Sequence, residues 1–449
     1  MTSPGRPTEP QTAPSIGRRL WVGLSRSVIT AVFVQGSTLA LNIFAARTLS
    51  QARFGDFLLL VTTIATLGAI GQLASGYTAT KYLAELRTRD PERAARVVVV
   101  CTGLALLGAL ATSLTLALAA DRVAAVWLRA PHLAHALLLV AGVVPFVVLY
   151  GQRAGVLNGL EGYSALASVG VASGVTYLAF GALGLHLHGV EGGVIGVGVS
   201  AFLQWLAAER AAAAALRKLG IEPRVRGSLQ DCGTVLHFAL PASLGGLVSM
   251  SAIWIAAAML VRQTNGSEQL ALFGAANAAR AMVLFLPQAV AGVGTTMLNN
   301  HLGDGHRYRR VFWTSVTLAF GVALIGALGM AVAGQYVLQV FGRNFGAAGG
   351  VLHILLFAAV AEASSNTIYQ VVQSRAHMWK SAWFILVPRD GLLMLLAYLL
   401  TPGMGAVGLA VAYGCAWTLS LAITSVWTWR LGLGTDPMGG DSAPRVAVA

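Results

Sequence analysis

Long apolar stretches alternate along this chain with short segments that hold nearly all of its charge. A helix needs about 20 mainly apolar residues, at 1.5 Å each, to cross a bilayer core. Twelve stretches meet that test. In the first half they are 25–46, 57–76, 97–119, 135–152, 164–187 and 190–208. In the second they are 234–261, 272–297, 311–333, 351–372, 382–401 and 403–427. They are numbered here as spans 1 to 12. Spans 5 and 6, and spans 11 and 12, nearly touch. Gly189 with Glu191, and Pro402 with Gly403, predict the turns that separate them.

Composition agrees with the pattern. Hydrophobic residues make up 56% of the 449, charged residues 10%, and the mean hydropathy is +0.71. A soluble domain carries about 25% charged residues, so this chain has too little polar surface to dissolve as a globule. The expected fold is therefore all-α and integral to the membrane, with about twelve transmembrane helices.

The basic residues set an orientation. Arg outnumbers Lys 27 to 3 and the formal net charge is +13. With the N-terminus placed in the cytoplasm, 22 of the 30 fall in cytoplasmic tails and loops and 6 on the opposite side. Short cytoplasmic loops collect Arg and Lys in this way, so both termini are expected to be cytoplasmic. The same distribution argues against a nucleic-acid partner. Trp21, Trp127, Trp313, Trp379, Trp427 and Trp429 sit near expected helix ends, as an interfacial aromatic belt does.

The longest cytoplasmic loop divides six spans from six. The expected division is a disordered or amphipathic N-terminus at 1–24, an N-lobe at 25–208, a linker at 209–233, a C-lobe at 234–427 and a tail at 428–449. Phe54-Gly55 at span 2 and Phe273-Gly274 at span 8 repeat at an offset of 219 residues. Leu83 and Glu85 match Leu302 and Asp304 at the same offset. Paired lobes of this kind are a transporter architecture, with a substrate path between them.

Charges inside spans cost about 2.5–3.5 kcal/mol each on insertion scales, and so mark pathways or ion pairs. Four qualify: Arg280, Glu362, Arg389 and Asp390. Asn277 and Gln288 share a face with Arg280, and Pro287 is placed to kink that helix. A cation there suits a lipid diphosphate; the competing reading is a structural ion pair with Glu362 or Asp390. Glu362, Asn366, Tyr369 and Gln373 form one continuous face of span 10, expected to line water or the other lobe. A buried hydrogen-bonded seam is its alternative. Gln35, Thr38 and Asn42 make a shorter stripe on span 1, read chiefly as such a seam and secondarily as an N-lobe cavity wall. Arg389 and Asp390 lie about 100° apart around span 11. One is expected to face the cavity and the other a neighbouring helix.

Other features read as structural. Asp56 is expected to be solvated at the interface. His186 and His188 lack a third ligand, and Cys101, Cys232 and Cys415 are too far apart to suggest a metal site or a disulfide framework. No Walker A sequence occurs, and no catalytic constellation accompanies it. Transport, not enzymatic turnover, is the expected class, with no cofactor. A coupling ion or the membrane potential would supply the energy, and Glu362 and Asp390 are the carboxylates available to carry a coupling proton.

Particular motifs sharpen this. Leu236-His-Phe-Ala-Leu-Pro241, Trp254, Arg262, Leu272-Phe-Gly-Ala-Ala-Asn277 and Phe285-Leu-Pro287 recur in one block. With Ala45–Gly55 and Gly155–Gly162 added, the chain resembles bacterial polysaccharide-biosynthesis flippases. These are Wzx-type members of the multidrug/oligosaccharidyl-lipid/polysaccharide (MOP) exporter superfamily. The resemblance implies two six-helix lobes around a central cavity that opens alternately to each side. It also implies a bacterial inner-membrane protein that moves undecaprenyl-diphosphate-linked oligosaccharide to the outer leaflet, with Arg280 as the cavity cation. Glycosyltransferases and a polysaccharide polymerase are the implied partners. The runner-up is a cation-coupled drug or metabolite exporter of the same fold.

Overall fold

The computed structural model describes residues 16–223, 225, 227–300, 305–374 and 381–430. Expectations for residues 1–15 and 431–449, and for the side chains of Trp21, Gln373 and Trp379, lie outside what is described. Every regular element among the described residues is helical. Among the described residues, nine stretches are long and apolar enough to cross a membrane. Two of them, Tyr163–Lys218 and Ala382–Arg430, are each a pair of helices joined across a break. With the helix Ile16–Thr48 counted, the twelve expected spans are present.

The breaks fall where backbone chemistry allows a reversal without a loop. Gly189 takes φ +60° and Gly405 takes φ +54°, a region open to glycine at little cost. The first break matches the expected turn. The second falls beyond Pro402 and Gly403, which remain helical: proline is compatible with helical φ, whereas the reversal needs the positive φ that Gly405 supplies.

The helices outrun their apolar cores. Span 9 is Gly305–Phe341 and span 6 continues to residue 218, well into the expected linker. Span 7 begins at Leu229. The N-terminal segment is helical from Ile16, not from residue 25 as the pattern suggested. Polar residues at a helix end face water without ending the helix, so hydropathy marks the membrane slab more sharply than the helix. Ends are set by caps: Ser50 Oγ accepts from the Arg53 amide, and Asp90 Oδ1 from the Arg93 amide at 2.9 Å, with Pro91 in the first turn.

Spans 1 to 6 pack together, with span 4 against span 3 and against the joined spans 5 and 6, and span 1 against span 5 at Gly170, Gly174 and Gly181. In spans 7 to 12, span 10 packs against spans 8, 9 and 12. Span 2 joins the two groups by packing on spans 7 and 8. Span 2 is also broken, unlike its expected single helix. It runs Gln51–Gln72 and resumes as Ser75–Leu86 across two residues of left-handed backbone, Leu73 and Ala74.

Candidate substrate cavity between the lobes

Two cavities lie between the groups of spans. The larger, about 610 Å³, is walled by spans 1 and 2 on one side and spans 7, 8, 11 and 12 on the other. The smaller, about 300 Å³, lies between spans 1, 8 and 10. Arg280 and Gln35 line both.

Arg280 is the centre of the arrangement. The three-residue spacing places Asn277 one turn away on the same face, and Arg280 Nε donates to Asn277 Oδ1 at 2.8 Å. Arg280 Nη1 donates to Glu362 Oε2 across from span 10. The guanidinium carbon lies 4.7 Å from the centroid of the Tyr413 ring on span 12. Arg280 is 8% exposed and Glu362 7%. Burial of either charge alone would be costly, so the pair, the amide and the ring face together make the position tolerable. The ion pair raised as the competing reading is therefore present, and it forms part of the cavity wall. Charge at this wall is locally compensated.

A second buried pair lies close by. Arg389 and Asp390 do not diverge, as their angular separation suggested: Arg389 folds back, with Nε to Asp390 Oδ1 at 2.7 Å and Nη2 to Oδ2 at 2.9 Å. The long guanidinium arm spans the 100° between adjacent Cβ atoms, which the backbone angle alone concealed. Ser249 Oγ on span 7 donates to Asp390 Oδ2 at 2.7 Å, and Arg389 stacks on Trp417 at 4.6 Å. Neither residue lines the two cavities. Leu393, one turn along span 11, and Tyr413, one turn before Trp417, do line the larger one.

The remaining candidates divide. Gln35, Thr38 and Asn42 line the larger cavity, so the seam favoured for this stripe is corrected: spans 1 and 8 stand apart at this level. Thr38 satisfies its own hydroxyl on the Val34 carbonyl at 3.0 Å, leaving the amides to face the space. Gln288 lines the smaller cavity. Among the described side chains of span 10, Glu362 is the one that lines these two cavities. Asn366 and Tyr369 do not, and Tyr369 Oη instead meets Ser381 Oγ at 3.0 Å. Tyr369 thus joins a hydrogen-bonded contact between spans 10 and 11.

The end of the bundle bearing the 1–2 and 7–8 turns is sealed. Asp56 is buried at 3% exposure, against the expectation of a solvated carboxylate. It accepts from Ser267 Oγ at 2.7 Å and meets His132 Nε2 at 3.1 Å. Gly55 packs so closely on span 8 that a Cβ would lie 1.8 Å from the Ser267 carbonyl oxygen. Phe54 packs its ring against Phe345 and Phe341, at 5.8 and 6.4 Å. Arg47 Nε donates to the Val340 carbonyl at 2.7 Å.

At the other end a second set of contacts ties span 7 to spans 2 and 3. Asp231 accepts from Arg93 Nε at 2.9 Å and Arg96 Nε at 2.8 Å. Partial burial pushes the Asp231 carboxyl upward, but the hydrogen bonds from Arg96 and Arg93 outweigh it and hold it below its ordinary value. Phe238 stacks on Tyr77 at 5.7 Å, with Lys81 Nζ 4.0 Å from its centroid. Ser249, Ser267 and Tyr413 carry little signal in the sequence, because Ser and Tyr are ordinary in any membrane protein.

Comparison with known proteins agrees with this architecture. No protein-family model matches the chain. It is 26% identical over 432 residues to the EPS I polysaccharide export inner membrane protein EpsE of Ralstonia nicotianae, covering 91% of this chain and 96% of that protein. An inward-facing multidrug resistance MATE family transporter of the MOP superfamily superposes with a TM-score of 0.71 at 16% identity, over 91% of this chain and 98% of that one. The lipid II flippase MurJ in an inward closed conformation gives a TM-score of 0.71 at 13% identity, over 89% and 86% of the two chains. The fold expected from the motifs is borne out: the chain is a multi-pass membrane protein that shares the fold of these transporters over most of its length.

Proposed function

We propose that this MOP-fold transporter flips an undecaprenyl-diphosphate-linked oligosaccharide from the inner to the outer leaflet of a bacterial inner membrane, for export of surface polysaccharide. The observation that carries the reading is the shared wall of the two cavities, where the guanidinium of Arg280, paired with Glu362, stands beside the amides of Gln35, Asn42 and Asn277. A diphosphate and its sugars cannot cross about 30 Å of hydrocarbon unaided. Asn42, Gln35 and Asn277 offer hydrogen bonds to hydroxyls, and Arg280 offers the charge-assisted bonds that phosphate oxygens take best. The full-length relative is named for polysaccharide export, which supports the cargo class.

The steps follow from the wall. The cargo reaches the cavity with the 1–2 end sealed by Asp56, Gly55 and Phe54. Its diphosphate competes with Glu362 for Arg280, while the prenyl chain stays in lipid. Charge-led orientation puts the sealed end at the periplasm and the Asp231 end at the cytoplasm. The lobes then rock, the seal parts and the contacts at the cytoplasmic end close. Release requires that Arg280 regain Glu362, so the internal pair acts as a competitor that keeps binding reversible. The membrane potential or an ion gradient drives the cycle. Glycosyltransferases and a polymerase are the partners this reading requires.

A second reading has its own support. Most of the larger cavity's wall is apolar, with Leu, Ile and Phe side chains around one carboxylate-paired cation. That surface also suits an amphipathic organic cation, as a multidrug exporter would take. Deleting the gene and restoring Arg280→Ala or Arg280→Lys separates the two. The flippase reading predicts loss of surface polysaccharide restored by the wild type and not by Arg280→Ala. Normal polysaccharide with new sensitivity to toxic cations would overturn it in favour of the exporter.

A further inference from the structure

The second half of span 2, Ser75–Leu86, presents two faces. Gly76 and Thr80 set one of them against span 4. Gly76 lies too close to the Gly151 carbonyl for a Cβ, and Thr80 Oγ1 donates to the Gly155 carbonyl at 2.9 Å. Tyr77 and Lys81, each one residue further on, are neighbours at helical spacing and meet span 7. The Tyr77 ring stacks on Phe238 at 5.7 Å with the planes 18° apart, and Lys81 Nζ stands 4.0 Å from the Phe238 centroid. Tyr82 completes the group edge-on to Phe238 at 5.9 Å, its hydroxyl donating to the Thr234 carbonyl at 3.3 Å.

Two features set this group apart from a closed seam. Tyr77 is 56% exposed although one side of its ring is covered by Phe238, so the other side is open. Lys81 is half-buried, yet among the described residues its ammonium meets rings and no carboxylate. Nearby arginines are already compensated: Arg87 pairs with Glu161, and Arg93 and Arg96 share Asp231. Ring faces attract an ammonium but leave its N–H donors without an oxygen. The height is also specific. Lys81 lies 27 residues along the span from Phe54, up to about 40 Å at 1.5 Å per residue. That is the thickness of a bilayer with its headgroups. With Phe54 at the periplasmic seal, Lys81 stands level with the cytoplasmic headgroups.

We propose that Lys81, Tyr77 and Phe238 form an entry site, separate from the two cavities, for the diphosphate-sugar headgroup of a lipid-linked cargo. Lys81 bonds the phosphate oxygens. The open face of Tyr77 takes the first sugar, whose polarised C–H groups are drawn to the negative face of the ring. The inference rests on the flippase reading and adds where in the cytoplasmic leaflet the cargo is first held. An ordinary anionic phospholipid offers the same phosphate without the sugar, so Tyr77 is the residue that discriminates between the two.

The test measures equilibrium binding to the full chain in phosphatidylcholine nanodiscs. The parent carries Arg280→Met with Glu362→Leu, so that the cavity cation contributes nothing. The probes are undecaprenyl diphosphate, the same lipid bearing one hexose, and phosphatidylglycerol. Lys81→Met should weaken both diphosphate probes by about tenfold or more, and Lys81→Arg should restore them. Tyr77→Leu should weaken the hexose-bearing probe alone, with melting unchanged in all three variants. Undiminished binding by Lys81→Met overturns the proposal. So does a parent that has lost the binding seen in wild type, because the cavity would then be the holder. Phosphatidylglycerol bound as tightly as the hexose-bearing probe overturns the assignment to the cargo, and equal losses with and without the hexose in Tyr77→Leu overturn the stacking. Wild type that binds neither diphosphate probe overturns the flippase reading together with this site, whereas the other failures overturn the site alone.

Discussion

Gly55→Ala is the most direct perturbation of the seal. In the closed arrangement the new Cβ would fall 1.8 Å from the Ser267 carbonyl oxygen. Real contacts of this kind sit above 3 Å, so spans 2 and 8 must separate by more than an ångström, or bend, to admit it. Both partners are backbone and cannot rotate away as a side chain would. Overpacking of this severity costs about 1–3 kcal/mol. The cost falls on the sealed state alone, since the methyl is free once the spans part. The open fraction should therefore rise about 5- to 150-fold. The assay is labelling of a cysteine placed at Thr62, which lines the larger cavity, by a membrane-impermeant maleimide added outside intact cells. The three native cysteines are replaced first. A faster rate in Gly55→Ala, at unchanged protein level, supports the seal. An unchanged rate in well-folded protein refutes both the seal and the sidedness assigned to it.

Three further predictions follow from the ion pairs and the amides. Arg280→Met alone leaves Glu362 buried and unpaired and should destabilise the protein by about 3–5 kcal/mol, whereas Arg280→Met with Glu362→Leu should recover most of that in thermal unfolding yet still not transport; recovered transport would make the pair purely structural. Because the Asp231 carboxyl is held below its ordinary value, its contribution is fully present above that ordinary value and is lost as pH falls through the depressed one. Wild type should thus melt above Asp231→Asn at neutral pH, and the gap should close only in strong acid; a gap that persists there would contradict the pairing with Arg93 and Arg96. Asn42→Leu removes a hydrogen-bonding group from the cavity while adding little bulk, so it should lower export with melting unchanged, and unaltered export would remove Asn42 from the cargo path.

How much was legible in the sequence differs by level. Hydropathy located all twelve spans, since each apolar run has to satisfy its backbone within itself in lipid. It missed the break at Leu73–Ala74, because two apolar residues carry no local signal for left-handed backbone. It also misplaced the reversal after span 11, where proline looked like the turn and Gly405 made it. Arg280 and Glu362 stood out as charges in apolar runs, but their pairing depends on spans 82 residues apart in sequence. Arg389 and Asp390 were read wrongly because helical periodicity places Cβ atoms and says nothing of where a long flexible arm ends. Asp56 looked solvated by its position at a span end. Only the packing of span 8 against span 2 buries it.

The central claim is that the cavity carries a lipid-linked glycan from one leaflet to the other. It is tested by reconstituting the purified chain in liposomes with an undecaprenyl-diphosphate oligosaccharide in both leaflets, and following the fraction accessible to an added impermeant glycan-modifying enzyme. Wild type should bring the whole pool into reach within the assay, while Arg280→Ala and protein-free vesicles should leave about half protected. Equal protection with and without the wild-type protein, under an imposed membrane potential and proton gradient, would contradict the account.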